Sequence, residues 1–588
     1  MMIRNSSKVW SAGLLFVMSV PVWAGLPSSL GQKLADFTLE DYRGKKVSLH
    51  DERPKATVLL ILGTECPLVG AYAVRINKLV ADWDKAGVRV IGINANQQDS
   101  LAEIAQHAAK LGFRFPILKD AGNLIADKLG AERTPEVFVL DESGTVVYRG
   151  RIDDQFGIGY QRPAPTREDL VRAVDDVLAG KAVEVASTPV MGCRIGRVHR
   201  PDPAGKITYA KEVSRILQKR CVECHHEGDV APFSLTNYDE VIGWAEMIKE
   251  VVADRRMPPW LAGPEHHDFV NNPSLDEDEK KTLFAWIDSG CPKGDEKDLP
   301  EPIALAKGWC MSKPDDVFYM SDKPYTVPAE GTVRYQYYVV DPGFKEDHWI
   351  KEAEVRAGTP SVVHHVIVFI QNGGADRAVA PQMAYAPGMP PRKLPPGRAI
   401  KLPAGSKLIF QVHYTPNGVE REDRSYVGFK YADPSEVTHE VVGAQAGVML
   451  FAIPPNDGNF KMVAEERMRR DTWLIGMNPH MHVRGKDFRY EVIYPDGKRE
   501  VLLDVPRYDF NWQLWYNYAT PKLLPKGTRM ICTAHFDNSD QNPSNPDPNK
   551  TVRWGEQTWD EMMFGFFSVE RPLAKESAAA DAQTKNGN

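Results

Sequence analysis

The chain has 588 residues, enough for three or four domains that each bury a core of their own. Its 43% hydrophobic and 26% charged residues are the balance of an ordinary globular protein and exclude a disordered or fibrous one. A net charge of −7 provides no basic field, which excludes nucleic acid as an expected partner.

Arg4 and Lys8 precede an apolar run from Trp10 to Trp23, closing on Val22-Trp23-Ala24 before Gly25. That order predicts a secretory signal over residues 1–24, because an anchor helix would need a longer apolar span. The mature protein is therefore expected to be exported, periplasmic or secreted, with no membrane span after cleavage. Over residues 25–185, KATVLLILG and VRVIGINA read as buried strands, with RINKLVADWDKAG and SLAEIAQHAAKLG as helices between them. EVFVLD and TVVYRG form a hairpin-like pair around Glu142-Ser143-Gly144, so this stretch predicts an α/β domain with a largely parallel core.

Residues 186–205 lack periodicity and read as a linker. Residues 206–300 predict an all-α domain, with apolar residues at helical spacing in EVSRILQKR, YDEVIGWAEMIKEVVADRR and DEDEKKTLFAWIDSG. Asp276 to Glu279 place acids at a helix start, where the macrodipole favours them. From 301 onward, short alternating runs such as VVHHVIVFI, KLIFQVHYTP and TRMICTAHF predict two all-β sandwich, jelly-roll-like domains over 301–435 and 436–572. Residues 573–588 form a polar tail.

Three motifs carry chemistry. Cys221-Val222-Glu223-Cys224-His225 is C-x-x-C-H, the attachment signature for c-type haem. Both thiols would hold the porphyrin and His225 would be the proximal ligand; a zinc half-site or redox dithiol is the competing reading. Met257, in a proline-rich stretch, is the expected sixth ligand, whereas Met247 sits in an amphipathic helix and reads as core filling. The stretch resembles a small cytochrome c domain, with His226 as a solvated neighbour.

Cys66 stands where a strand ends and a helix begins, a position that lowers a thiol pKa. With Thr134-Pro135 before EVFVLD, the domain resembles the redoxin branch of the thioredoxin-like superfamily. It departs from that pattern: Val69 occupies the place of a thioredoxin's second cysteine, and Gly63 that of a peroxiredoxin's threonine. Cys66 is left with three readings: attack on peroxide, exchange with a distant thiol such as Cys193, or no redox role in a docking module. Cys193, Cys291, Cys310 and Cys532 cannot be paired from sequence.

The third motif is a set of soft-metal ligands. His364 and His365 are adjacent, His413 lies in FQVHYTP, His480 and His482 form H-x-H, and Met562 follows in TWDEMMFGFF. Five imidazoles and a thioether suit copper. On a strand, His480 and His482 share a face, whereas His364 and His365 can share an ion only at a bulge or strand end. The ordering resembles the copper type II, ascorbate-dependent monooxygenases, the family of peptidylglycine α-hydroxylating and dopamine β-monooxygenases, over roughly residues 305–570. The resemblance implies two β-sandwich domains, each holding one copper across a solvent-filled cleft. It makes His364, His365 and His413 ligands of an electron-transferring copper, and His480, His482 and Met562 ligands of the copper that activates dioxygen. His535 is expected near the metal or at the surface; His266 and His267 receive no role.

The expected protein is thus an oxidoreductase with two copper ions and one covalently bound haem c. It would hydroxylate a C–H bond of a small-molecule or peptide substrate with dioxygen, drawing electrons through the haem from an ascorbate-like reductant or redox protein. The alternatives are a non-catalytic copper-handling protein and a peroxide-reducing enzyme using Cys66 or the haem.

Overall fold

The computed structural model describes residues 29–265, 269–305, 308–371 and 383–573. The predicted signal, His266 and His267, and the tail beyond Leu573 lie outside them. Among the described residues no helix is long and apolar enough to cross a membrane.

The N-terminal unit is built on a sheet ordered Ile117–Lys119, Val88–Asn94, Ala56–Ile61, Glu136–Asp141 and Val146–Gly150. The first three strands run parallel and the last two turn back antiparallel, the predicted hairpin among them. All six residues of Ala56–Ile61 are buried because both faces of the strand are covered. Ala56, Val58 and Leu60 enter one core with Val69 and Ile76 of the helix Pro67–Ala86; Leu59 and Ile61 enter another with Ile125 and Leu129. That two-residue alternation is the pleat of the strand.

The next unit packs the helices Ser214–Arg220, Tyr238–Ile242, Ala245–Ala253 and Glu277–Asp288 around fully buried Trp286. Asp276 and Glu279 form a capping box at the start of the last helix, so its acidic opening satisfies backbone donors as well as the dipole. The run YDEVIGWAEMIKEVVADRR, read as one helix, is interrupted at Gly243-Trp244. Gln98 of the α/β unit is packed there, and a Cβ on Gly243 would lie 2.4 Å from its Oε1.

The remainder is almost entirely β. A nine-stranded sheet crosses the boundary expected near 435: Arg398–Leu402 pairs in parallel with His439–Val448, joining the two halves. One four-stranded sheet (Gln336–Val340, Lys407–Tyr414, Val363–Gln371, Met383–Tyr385) faces the first half. Another (Phe460–Arg467, Arg529–Phe536, Gly485–Ile493, Arg499–Val505) faces the second. Separate cores fill the two layers, one around Phe410 and Phe429, the other around Phe488 and Phe536.

Candidate functional sites

Cys66 is the N-cap residue of Pro67–Ala86, as the strand-to-helix reading required. Its sulfur lies 3.0 Å from the Thr134 carbonyl oxygen, beside the cis Thr134-Pro135 bond. The two-residue strand Cys193–Arg194 pairs with Arg133–Thr134, setting Cys193 opposite Thr134. The Cys193 side chain packs against the same core that holds Cys66. Burial pushes the Cys66 thiol up, but bonds from Cys193, Thr134 and the Val69 amide outweigh it and bring it down to about 6. Proximity to Cys66, with burial, pushes Cys193 well above the ordinary thiol range, which leaves Cys66 the more acidic of the two.

In the helical unit, Cys221 caps the end of Ser214–Arg220, and Cys224 and His225 follow in a turn. His225 Nδ1 lies 3.2 Å from the Phe233 carbonyl oxygen. A carbonyl only accepts, so Nδ1 carries the proton and Nε2 keeps its lone pair for an iron. Burial holds the ring below the usual histidine pKa, in the neutral form a metal needs. Met247, partly buried against the core of the helical unit, accepts a hydrogen bond from the Arg194 amide through its sulfur, 3.4 Å away. Met257 follows the helix Ala245–Ala253, its amide bonded to the Val251 carbonyl. His226 bonds to the Val222 carbonyl and faces Asp229.

In the β units, the register of Val363–Gln371 against Lys407–Tyr414 shifts between Val363 and His365. The bulge falls at His364 and turns both histidines to one side, and His365 stands directly across from His413. The donor atoms of His364, His365 and His413 all lie within 4.8 Å of one another. His364 Nδ1 and His365 Nδ1 are 3.2 Å apart, about the separation of two nitrogens each ~2 Å from a single ion. His413 Nε2 meets the Thr558 hydroxyl at 3.3 Å, while its buried Nδ1 has no hydrogen-bond partner among the described residues. The Nε2 atoms of His364 and His365 are likewise buried without one.

His480 closes the strand Thr472–Met481, and its ring centroid is 5.4 Å from that of His482 just beyond. Second partners orient both: His480 Nδ1 to Gln513 Oε1 at 2.9 Å, and His482 Nδ1 to the Asp560 carbonyl at 3.3 Å. His482 Nε2 is again buried without a partner. Burial brings His364 and His480 down to about 4, His482 to about 3, and His365 and His413 well below the usual value, so all five rings are neutral at pH 7. Met562 immediately precedes the strand Met563–Pro572, whose register pairs Phe564 with His480 and Met563 with Met481. Met562 and His482 each lie one residue beyond the last of these pairs.

Several residues that shape the sites carried no readable signal. Glu561, fully buried, accepts amide hydrogen bonds from His482, Arg484 and Met562, and burial pushes its carboxyl up to about 7. Phe510 stacks on His364 and meets His482 edge-on, so an aromatic ring stands between the two histidine groups where the resemblance implied solvent. Tyr335 packs against His365 and His413. Of these, only Glu561, adjacent to Met562, was within reach of the motif. His535 is bound to Asp487 at 2.7 Å and belongs to neither group.

Residues 30–149 match the AhpC/TSA family. The chain is 28% identical over 117 residues to the thiol-disulfide oxidoreductase ResA of Halalkalibacterium halodurans, covering 20% of this chain and 65% of that protein. It is also 28% identical over 118 residues to ResA of Bacillus anthracis, covering 20% and 67%. The chain thus spans just under two thirds of the length of the Halalkalibacterium protein. A solved hypothetical protein from Sinorhizobium meliloti is 31% identical, covering 29% of this chain and 94% of that one, with a TM-score of 0.26. The N-terminal α/β unit is a redoxin, thioredoxin-like domain.

Proposed function

We propose that the chain is an exported oxidoreductase whose β units form a copper-dependent monooxygenase module, served by a c-type haem in the helical unit. The observation that carries this reading is the convergence of His364, His365 and His413, whose donor atoms lie within 4.8 Å of one another, beside a second group of two buried imidazoles, His480 and His482. His364, His365 and His413 would hold one copper and His480, His482 and Met562 the other; Cys221, Cys224, His225 and Met257 would hold the haem. Bound there, copper supplies one-electron redox chemistry and dioxygen activation, and haem c supplies electron transfer.

The chain's own residues do the rest. Gln513 and Asp560 fix the tautomers of His480 and His482, and Glu561 anchors the backbone on either side of His482. The segments on either side of Met257 dock on the loop that carries Phe510 and Gln513: Arg507 bonds to the Asp254 carbonyl, and Asn271 to the Trp515 carbonyl. The helical unit is thereby held against the β unit that bears the second histidine group. The substrate is a C–H bond of a small molecule or peptide, with an ascorbate-like reductant or redox protein as the external donor.

Metal analysis and oxygen uptake of the purified, copper-loaded chain test this reading. Two coppers and one haem per chain, with substrate-dependent oxygen uptake, are expected; absence of copper binding overturns it. Stoichiometric copper without oxygen uptake would identify a copper-handling protein instead.

A second reading is favoured by Cys66 at its helix N-terminus and by the likeness to ResA: the redoxin domain carries out thiol–disulfide exchange. Peroxide reduction at the same thiol is the variant of this reading that a peroxide-consumption assay of Cys66→Ser would reveal.

A further inference from the structure

We propose that Cys193, on the connector between the redoxin domain and the helical unit, is the second thiol of the Cys66 site, and that the two close a reversible disulfide when a small disulfide is reduced. The proposal rests on the thiol–disulfide exchange reading and adds the residue that reading lacks. Within the redoxin domain no second cysteine is available: the position three residues after Cys66 is Val69, which is fully buried in the core.

The connector is shaped to deliver the missing thiol. Cys193 and Arg194 add a short antiparallel strand to Arg133–Thr134, the segment whose carbonyl contacts Cys66. Gly192 makes the approach possible. Its φ is +151°, and a Cβ built there would lie 2.1 Å from the Thr134 carbonyl oxygen. Any other residue would push the connector off the Thr134-Pro135 turn. Arg133 grips the connector through the Gly192 carbonyl at 2.9 Å. Beyond it, Arg133 and Arg194 both pair with Glu250 of the helix Ala245–Ala253, so the strand is clamped from both sides. The result is that two thiols far apart in sequence meet at Thr134, with Cys66 the more acidic of the two.

The chemistry follows from that polarity. The Cys66 thiolate attacks one sulfur of the substrate disulfide; the S–S bond breaks, a Cys66 mixed disulfide forms, and the departing thiolate takes up a proton. Cys193, losing its proton, attacks the Cys66 sulfur, breaks the mixed bond and releases the second thiol, which receives that proton. One substrate disulfide is reduced to two thiols, and two cysteines are oxidised to one disulfide. Cys66 is only 3% exposed, which favours a low-molecular-weight disulfide over a folded protein as the substrate. As a weakly basic thiolate, Cys66 is also the better leaving group when an incoming thiol regenerates the pair by attacking half-buried Cys193.

The full-length chain, Cys193→Ser and Cys66→Ser should be incubated with glutathione disulfide, alkylated, and mapped by peptide mass spectrometry. The unsubstituted chain is expected to yield a peptide joining residues 66 and 193 with only traces of glutathione. Cys193→Ser should hold near-stoichiometric glutathione on Cys66, and Cys66→Ser should give neither product. Persistent glutathione on Cys66 in the unsubstituted chain, with Cys193 still alkylated, would overturn the proposal while leaving the exchange reading intact. Cys66 unmodified in every sample would remove both. The cross-link map of the unsubstituted chain decides the matter even if Cys193→Ser fails to fold.

Discussion

The imidazole of His364 and the ring of Phe510 are stacked, with centroids 4.8 Å apart and planes 14° from parallel. The opposite contact of Phe510 is with His482, edge-on at 5.9 Å. A single side chain from the loop between two strands of the second β unit therefore separates two histidine groups that arise on different sheets.

Phe510→Ala should remove this spacer at a stability cost of about 2 kcal/mol, since the ring is half-buried. Copper stoichiometry should persist, but the electron paramagnetic resonance spectrum of copper at His364, His365 and His413 should broaden as water enters. An unchanged spectrum and melting temperature would mean that the stack has no part in shaping the site.

His413→Ala and His482→Ala should each lower bound copper from two ions to one, because they remove a ligand from different groups. The double variant should bind none. Elemental analysis after dialysis checks this, and equal retention of both ions in either single variant would refute the division into two sites.

The metal-free protein should lose stability as pH falls from about 6.5 toward about 4. The unfolded chain binds protons on its histidines from about 6.5 downward, whereas burial keeps His364 and His480 unprotonated until about 4 and His482 until about 3. More protons on the unfolded state means that stability rises with pH, by up to about 1.4 kcal/mol per pH unit for each histidine. Denaturation midpoints at pH 5 and pH 7 measure the slope, which should flatten in His365→Asn. A midpoint independent of pH over this window would contradict the burial of neutral rings.

Glu561→Ala should cost about 3 kcal/mol, since the amides of His482, Arg484 and Met562 and the buried Arg484 guanidinium all lose their acceptor or counter-charge. Glu561→Gln retains one carbonyl oxygen and should lose less. Thermal unfolding with and without copper distinguishes the two; equal stability of all three proteins would show that the carboxylate does not organise the His482 turn.

Much of this organisation was legible in the chain. Alternation of buried strands and helices over 25–185 exposed the redoxin domain because both faces of Ala56–Ile61 must be apolar, and the hairpin around Glu142-Ser143-Gly144 followed from turn chemistry. The bulge demanded by two adjacent histidines is present at His364 for a reason local to the strand: only an extra residue can turn neighbours to one side. By contrast, the break at Gly243 could not be read, since it depends on Gln98 from another unit. The parallel junction of Arg398–Leu402 with His439–Val448 was equally hidden, because strand pairing between distant segments leaves no periodic mark.

Local sequence alone determined which residue types were available: a helix-capping thiol, a C-x-x-C-H turn, and five histidines with a methionine on or beside β-strands. Periodicity, capping and side-chain chemistry act over a few residues, so they can be read in order. Tertiary structure decided which of these groups meet. It brought Cys193 back to Cys66 through a two-residue strand, set Phe510 between the histidine groups, and hung the turn at His482 on Glu561. Those contacts depend on chain segments folding back across whole domains, and only burial in three dimensions gives them their chemistry: a thiol made acidic by its neighbours, and imidazoles kept neutral by the loss of water.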